Sequence, residues 1–334
     1  MILVTGGAGY IGSHAVKLLL ENGYEVGIVD NLFRGYMQPV EILQEKYGQH
    51  KLCFYKADLR DYPAIEKILL ETKPEGILHF GALCLVNESM EKPELYFENN
   101  VGGSLSLLKA MVATGVKNIV FSSTCAVCGE SKYLPMDEKH PTSPANPYGE
   151  SKLLVEKMLR WFGEIHGLNY VIFRYFNVSG TAEDGLIGDS KKPSQLLIQN
   201  VVRGALGIEP FKLTCPKVNT RDGTPIRDYI NVIDLVEAHL AALKYLQEGK
   251  ESTTINLGTG SGNSVLEIVN QVQELTGIKF PVGSGETRKG EYAEVYADIS
   301  RATELLGWVP KRTVKDSVES LIKWYKGHPK GWDR

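Results

Sequence analysis

Apolar residues in the first half of the chain fall in short runs, separated by stretches in which they recur every three or four positions. The runs at 1–5, 25–30, 52–57, 76–80, 118–123 and 170–175 have the length and branched composition of buried strands. Between the first two, Ile11, Ala15, Leu18 and Leu19 share one helical face, and Asn22-Gly23 supplies a stop. Residues 101–114 and 148–166 repeat the helical spacing over lengths sufficient to lie across a sheet. Strand and helix in alternation, joined by glycine-rich turns, predict an α/β fold with a doubly wound parallel sheet of the Rossmann kind.

The pattern changes past residue 176. A Gly/Asp/Ser/Lys-rich stretch at 181–194 reads as a long loop, functional or mobile. Shorter elements follow, with turn signals at Asp222-Gly223 and at 258–262. A strand at 255–258 and a capped helix at 264–275 close this part. The expected division is therefore a nucleotide-binding domain over 1–176 and a smaller mixed substrate domain over 177–334, with about 227–260 returning to the sheet.

Composition narrows the classes. The 334 residues are 43% apolar and 23% charged, which excludes a disordered chain or a coiled coil. No stretch approaches the ~18 apolar residues of a membrane span. Nothing in the net charge of -3 suggests a nucleic-acid or membrane surface, so neither is an expected partner. The chain starts at once on a strand, without a basic or apolar leader pattern, and the expected location is cytoplasmic. Five scattered cysteines argue against a disulfide framework. Cys125 and Cys128 form a C-x-x-C, but zinc would need two further ligands, and the nearest histidine, His79, ends another strand. A thioredoxin-like pair would open a helix, whereas this one follows a strand. No metal site is expected. His14, His239 and His328 show no ligand spacing, and Trp308 and Trp324 read as packing.

The chemistry begins at the first turn. Gly6, Gly9 and Gly12 give G-x-x-G-x-x-G, and Gly7, Gly9 and Gly12 give G-x-G-x-x-G, between a strand and a helix. Such a turn brings backbone N–H groups and a helix N-terminus to a pyrophosphate. Asp30, 18 residues past Gly12 at the end of the second strand, is placed to accept the ribose hydroxyls and to repel a 2′-phosphate. The cofactor read from these residues is NAD. Arg34 could serve a phosphate but reads better as a solvated loop residue.

Tyr148 and Lys152 stand at i and i+4 on one helix face. An ammonium there lowers the pKa of the phenol and makes it a proton acceptor near neutrality. Ser122-Ser123-Thr124 ends the fifth strand, at the sheet edge where open α/β folds bind ligands.

These residues, with TGGAGYIGSH (5–14), VDN (29–31), DLRD (58–61), HF (79–80), NNV (99–101), FSST (121–124), NPYGESK (146–152), RYFNVSG (174–180), DGTPIRDYI (222–230), NLGTG (256–260) and LGWVP (306–310), resemble the extended short-chain dehydrogenases/reductases. Within them the chain is most similar to the UDP-glucose (UDP-galactose) 4-epimerases, over essentially its whole length. The resemblance implies that Gly6, Gly9, Tyr10, Ile11, Gly12, Asp30, Asn31, Asp58, Leu59, Phe80, Asn99, Ser122, Tyr148, Lys152 and Phe176 line NAD. It implies that Thr124 and Tyr148 hold the sugar 4-hydroxyl, that Asn177, Arg227 and Arg288 hold the UDP, and that Glu291 stands near the uridine ribose. By the same resemblance, Tyr148 takes the 4-hydroxyl proton while hydride leaves C4 for the nicotinamide. The 4-keto sugar then turns and is reduced on its other face. A homodimer through 101–114 and 148–166 is implied as well.

Some positions depart from that pattern. Cys84 replaces the usual Lys, Cys128 the usual Tyr, and 213–219 lacks the usual uracil-gripping pattern. Residues 290–298 and Ser123-Thr124-Cys125-Ala126 are more like UDP-xylose/UDP-arabinose 4-epimerases, and Val295 falls where bulky residues restrict N-acetylated sugars in some relatives. Related dehydratases and decarboxylases carry an acid directly after the Ser/Thr, for further proton transfers. This chain has Cys125 and Ala126 there. The expectation is a UDP-glucose/UDP-galactose 4-epimerase. Alternatives are a pentose or N-acetylhexosamine 4-epimerase and a nucleotide-sugar dehydrogenase or reductase. A non-catalytic sensor could dispense with Tyr148, Lys152 or Thr124, and the chain keeps all three.

Overall fold

The computed structural model describes residues 1–285 and 292–332. Its elements begin β1 (Ile2–Thr5), α1 (Tyr10–Glu21), β2 (Val26–Asp30), α2 (Gln38–Tyr47), β3 (Leu52–Lys56), α3 (Tyr62–Thr72) and β4 (Gly76–His79). They continue with α4 (Val86–Glu91), α5 (Pro93–Tyr96), α6 (Gly103–Thr114), β5 (Asn118–Thr124), α7 (Pro147–His166) and β6 (Asn169–Tyr175). Next come β7 (Asn177–Ser179), α8 (Leu197–Ala205), β8 (Lys212–Leu213), β9 (Ile226–Arg227), β10 (Tyr229–Asn231), α9 (Val232–Gln247) and β11 (Thr253–Leu257). The last are β12 (Asn263–Ser264), α10 (Val265–Thr276), β13 (Gly283–Ser284), β14 (Glu294–Val295), α11 (Ser300–Leu306) and α12 (Val314–Gly327).

Two compact units result. One comprises Met1–Gly129, Pro141–Arg174 and Val236–Ile255; the other comprises Glu130–His140, Tyr175–Leu235 and the described chain from Asn256. Among the described residues the first is built on a seven-stranded sheet in the order β11-β6-β5-β4-β1-β2-β3. The pairs from β3 through β5 run parallel, with Leu3 opposite both Gly27 and Ile77. Strands β1, β2 and β4 are buried along their whole length, which is why they read as continuous apolar runs without alternation. Ile65 and Leu69 of α3, Leu107 and Met111 of α6, and Val155 and Leu159 of α7 pack on strand residues such as Leu3, Ile77 and Phe121. Local signals bound these helices. Asn146 caps α7 by accepting from the Gly149 N–H at 2.8 Å, Pro147 follows it, and Gly167 ends the helix at φ 66°.

The sequence places a helix start at 101. The structure instead puts one turn of π-helix at Phe97–Gly102 ahead of α6. The Asn100 side chain bonds across the fold there, and such a turn is a frequent mark of a functional site.

In the second unit β7 pairs in parallel with β10, β9 lies between β12 and β14, and β8 pairs with β13. The capped helix of the sequence is α10, where Ser264 and Glu267 form a reciprocal capping box. The loop at 181–194 has no regular structure but is fastened. Asp189 accepts from the Tyr325 hydroxyl at 2.9 Å and from Trp324 Nε1, through its carbonyl, at 2.8 Å. Residues 130–140 fall before the boundary expected near 176 yet belong to this unit. Met136 N–H donates to the Tyr296 carbonyl at 3.0 Å, and Asp298 N–H to the Met136 carbonyl at 2.7 Å. His328 stacks on Trp324 at 3.9 Å. Among the described residues, no helix is long and apolar enough to cross a membrane, and no three His, Cys, Asp or Glu side chains gather as a metal site.

Candidate active site

The strand order reverses between β1 and β4, and the first turn opens at that point, on the carboxyl edge of the sheet. Gly6 adopts φ +69°, and a Cβ there would lie 2.7 Å from the Gly81 nitrogen. A Cβ on Gly12 would lie 2.2 Å from the Gly6 carbonyl oxygen, so the turn closes only on glycine. Gly9 donates to that carbonyl at 3.0 Å and is the N-cap of α1, without a side-chain cap of its own. Tyr10 and Ile11 open α1, where the Tyr10 ring meets His14 edge-on at 5.4 Å.

Beneath the turn, polar groups are paired. Gly81 N–H donates to Thr5 Oγ1 at 3.2 Å, and Thr5 Oγ1 lies 2.6 Å from His79 Nδ1. His79 Nε2 lies 2.9 Å from Ser104 Oγ, which itself donates to the Asn100 carbonyl at 2.6 Å. With that hydroxyl donating onward, the ring carries its proton on Nε2 and accepts at Nδ1. Burial, with the nearby Lys152 charge, brings His79 down to about 3, so it is neutral throughout the working range.

The acidic residues line the next strand ends. Asp30 closes β2, nearly buried, and accepts from the N–H groups of Ala8 at 3.1 Å and Leu32 at 2.8 Å. Burial raises its pKa, and these two bonds oppose the rise. Asn31 donates to Asp58 at 3.0 Å, and the Arg60 guanidinium bonded to Asp58 holds that carboxyl below the usual range. Leu59 packs over Gly81. Phe80 tilts against His239 at 4.8 Å. Arg34, read from sequence as solvated, is ion-paired with Glu88 at 2.5 Å.

The end of β5 carries Thr124 and is bonded to Lys152 of α7. Thr124 ends the strand and its Oγ1 accepts from the Ala126 N–H at 3.2 Å. Lys152, 4% exposed, donates from Nζ to the Ser122 carbonyl at 2.7 Å and sits 4.8 Å over the Phe121 ring. Burial lowers its pKa to about 8, against the pull of Cys84 and Glu156. Tyr148 lies edge-on to Tyr96 at 6.4 Å, in a cluster with Leu83. Ser151 donates to the Tyr148 carbonyl at 2.8 Å and accepts from Asn100 Nδ2 at 3.0 Å, and Asn99 donates to Asn100 at 3.0 Å. Ser122 Oγ lies 3.2 Å from His239 Nε2.

In the second unit, the N–H of Asn177 donates to the Asp228 carbonyl at 3.0 Å and that of Phe176 to the Leu257 carbonyl at 3.4 Å. Arg227 on β9 donates to the carbonyls of Ile226 and Tyr292, both at 2.9 Å, and pairs in register with the buried Val295. Arg288 and Glu291 lie outside the described residues.

Residues 3–321 match the family described as GDP-mannose 4,6 dehydratase. The UDP-glucose 4-epimerase of Lactobacillus helveticus is 42% identical over 334 residues, covering 99% of both chains. The chain belongs to the UDP-glucose 4-epimerase family of extended short-chain dehydrogenases/reductases. Within this epimerase family, UDP-arabinose 4-epimerase 1 of Arabidopsis thaliana is 40% identical over 99% of this chain and 80% of that relative. The crystal structure of UDP-glucose 4-epimerase from Bifidobacterium longum, in complex with NAD+ and UDP, superposes with a TM-score of 0.93 at 37% identity, covering 99% of each chain.

Around the residues that identify the epimerase family, the structure adds groups that the sequence did not single out. Asn100 and Ser151 tie the π-turn to the start of α7. Asp228, fully buried, accepts from Thr259 N–H at 2.7 Å, Thr259 Oγ1 at 2.8 Å, and the N–H groups of Gly260 and Ala297 at 3.2 Å each. One carboxylate thus joins the motif carrying Arg227 to the NLGTG turn. Glu156 was legible only as the next i+4 position after Lys152.

Proposed function

We propose that the protein is a UDP-sugar 4-epimerase that retains NAD and interconverts UDP-glucose and UDP-galactose through a 4-keto intermediate. The observation that carries the reading is the buried Lys152 ammonium, tied to the Ser122 carbonyl one turn from Tyr148, at the strand end that bears Thr124. The first turn fits the cofactor. Gly6, Gly9 and Gly12 let the backbone close tightly onto the N-terminus of α1, where the first-turn N–H groups of Tyr10 and Ile11 would meet a pyrophosphate, and the Asp30 carboxylate favours ribose hydroxyls over a phosphate. Asn31, Asp58, Leu59, Phe80, Asn99, Ser122, Lys152 and Phe176 complete the assigned lining. NAD, when bound, supplies the reversible oxidation of C4. Arg34, held by Glu88, gives no support to a 2′-phosphate.

Tyr148 accepts the 4-hydroxyl proton and returns it once the sugar has presented its other face. Thr124 Oγ1 already accepts from Ala126, so its own hydrogen is directed to the sugar oxygen as charge develops there. Lys152 holds the positive charge that favours the phenolate. Arg227 and Arg288 would grip the diphosphate, with Asn177 and Glu291 beside them. The roles of Arg288 and Glu291 rest on sequence resemblance alone. A 4,6-dehydratase is disfavoured because Cys125 and Ala126 offer no acid to protonate a leaving hydroxyl.

A UDP-xylose/UDP-arabinose pair is the second reading, supported by Ser123-Thr124-Cys125-Ala126, by the buried Val295 on β14, and by the arabinose-acting relative. Incubation with UDP-glucose and with UDP-xylose, products resolved by chromatography, separates the two. UDP-galactose appearing without net NADH supports the first reading. UDP-arabinose supports the second. Net NADH release would instead indicate a dehydrogenase, and no conversion would refute both epimerase readings.

A homodimer through α6 and α7 is part of this proposal. Leu105 on α6 is 40% exposed, and Trp161 and Ile165, one turn apart on α7, are 60% and 65% exposed. Sedimentation should give a dimer that Trp161→Glu dissociates; a monomeric wild-type protein would refute it. None of the five cysteines is in a disulfide, which fits a reducing, cytoplasmic setting.

A further inference from the structure

Glu156 lies on α7 one turn beyond Lys152 and is fully buried. Its Oε1 accepts from Ser123 Oγ at 2.6 Å and from Arg174 Nε at 3.0 Å, and its Oε2 from an Arg174 Nη at 2.6 Å. The half-exposed Arg160 approaches Oε2 at 3.5 Å. A buried, bidentate carboxylate–guanidinium pair is an unusual thing to place behind a sheet edge, and its geometry explains its position. Two successive turns of α7 grip two consecutive residues of β5: Lys152 holds the Ser122 carbonyl and Glu156 holds the Ser123 hydroxyl. The next residue of β5 is Thr124, and one turn earlier on α7 is Tyr148. This pair of bonds fixes the register of α7 on β5, and so the placing of Tyr148 and Thr124 on the two elements.

We propose that Glu156, paired with Arg174 of β6, is a positioning residue for proton transfer: it locks α7 on β5 and balances the buried charge around Lys152. The inference rests on the epimerase reading of Tyr148 and Lys152. Other groups around the ammonium do not replace this carboxylate. His79 of β4 is neutral, Cys84 also pulls on the ammonium but is solvent-exposed and is not tied to β5, His239 of α9 contacts Ser122, and Arg160 is a cation. Glu156 is the carboxylate whose charge reaches Lys152.

The test uses the cofactor-loaded protein and two readouts. One is the pH profile of kcat. The other is phenolate absorbance during a pH titration, taken as the difference from the matching Tyr148→Phe protein, which needs no turnover. In Glu156→Gln the guanidinium is left unbalanced. Both limbs of the profile and the phenolate titration are expected to move about one pH unit lower, with KM for the UDP-sugar within about twofold of wild type. The double variant Glu156→Gln/Arg174→Met loses both charges and should return to within about 0.3 pH unit of wild type. Arg174→Met alone should move the phenolate titration upward, and it carries the test should Glu156→Gln not fold. Wild-type limbs and titration in Glu156→Gln would overturn the proposal. So would a double variant displaced as far as Glu156→Gln, or an Arg174→Met protein that does not move upward. Failure of the epimerase reading would appear separately, as wild-type protein that converts no UDP-sugar, while the phenolate titration would still decide the role of Glu156.

Discussion

Raising the pH through about 8 should pull the activity of this protein and its stability in opposite directions, and Lys152 is the reason. Burial holds its ammonium at about 8 against an ordinary 10.5. That displacement corresponds to about 3 kcal/mol of penalty for carrying the charge in the folded state. In the unfolded chain the lysine keeps its proton up to its ordinary pKa, so between the two values the unfolded state binds more protons and stability rises with pH. Below the folded value the whole penalty is present; near the unfolded value it is gone. Activity follows the ammonium and falls over the same window. The assay is urea unfolding of wild type and Lys152→Met at about pH 7 and about pH 10, at one cofactor concentration, with the difference between the proteins cancelling every other titration. Wild type should gain about 2.5 kcal/mol on the variant across that range, while its kcat declines with a midpoint near 8. A difference flat to within about 1 kcal/mol, with a constant rate, would refute the argument that a buried, charged lysine serves the site.

Tyr148→Phe should lower kcat by about a thousandfold or more while the fold and bound NAD, followed by circular dichroism and absorbance, stay as they were; normal turnover would remove the base assignment. Gly12→Ala forces a methyl to 2.2 Å from the Gly6 carbonyl oxygen and should cost about 2–4 kcal/mol in chemical unfolding, whereas Gly327→Ala, with open space around it, should not. Asp228→Asn turns an amide toward the Gly260 and Ala297 N–H groups and should weaken UDP binding, measured by calorimetry, by about tenfold or more through misplacement of Arg227. Unchanged affinity there would reduce Asp228 to a purely local brace.

Much of this site could be read along the chain because its parts are set by neighbours in sequence. The Gly6–Gly12 spacing, the acid Asp30 at a strand end, the Tyr148–Lys152 pair on one helical face and the Ser264 cap of α10 each follow from turn chemistry or periodicity within a few residues. What escaped depends on partners far away. Arg34 looked solvated because Glu88, 54 residues on, is not visible from its surroundings. Residues 130–140 looked like part of the first domain because nothing local announces the bridge from Met136 to Ala297.

By itself, the sequence determined the alternation of elements, the nucleotide turn and the placing of Tyr148 and Lys152 on one helical face, since each is encoded in local spacing. Only the tertiary structure decided which buried charges meet. It set Glu156 between Ser123 and Arg174, converged four donors on Asp228, and gave His79 its neutral ring between Thr5 and Ser104. The physical reason is that a buried polar group must find its partner in space, and the order of strands in the sheet, which no short window of sequence contains, brings that partner near.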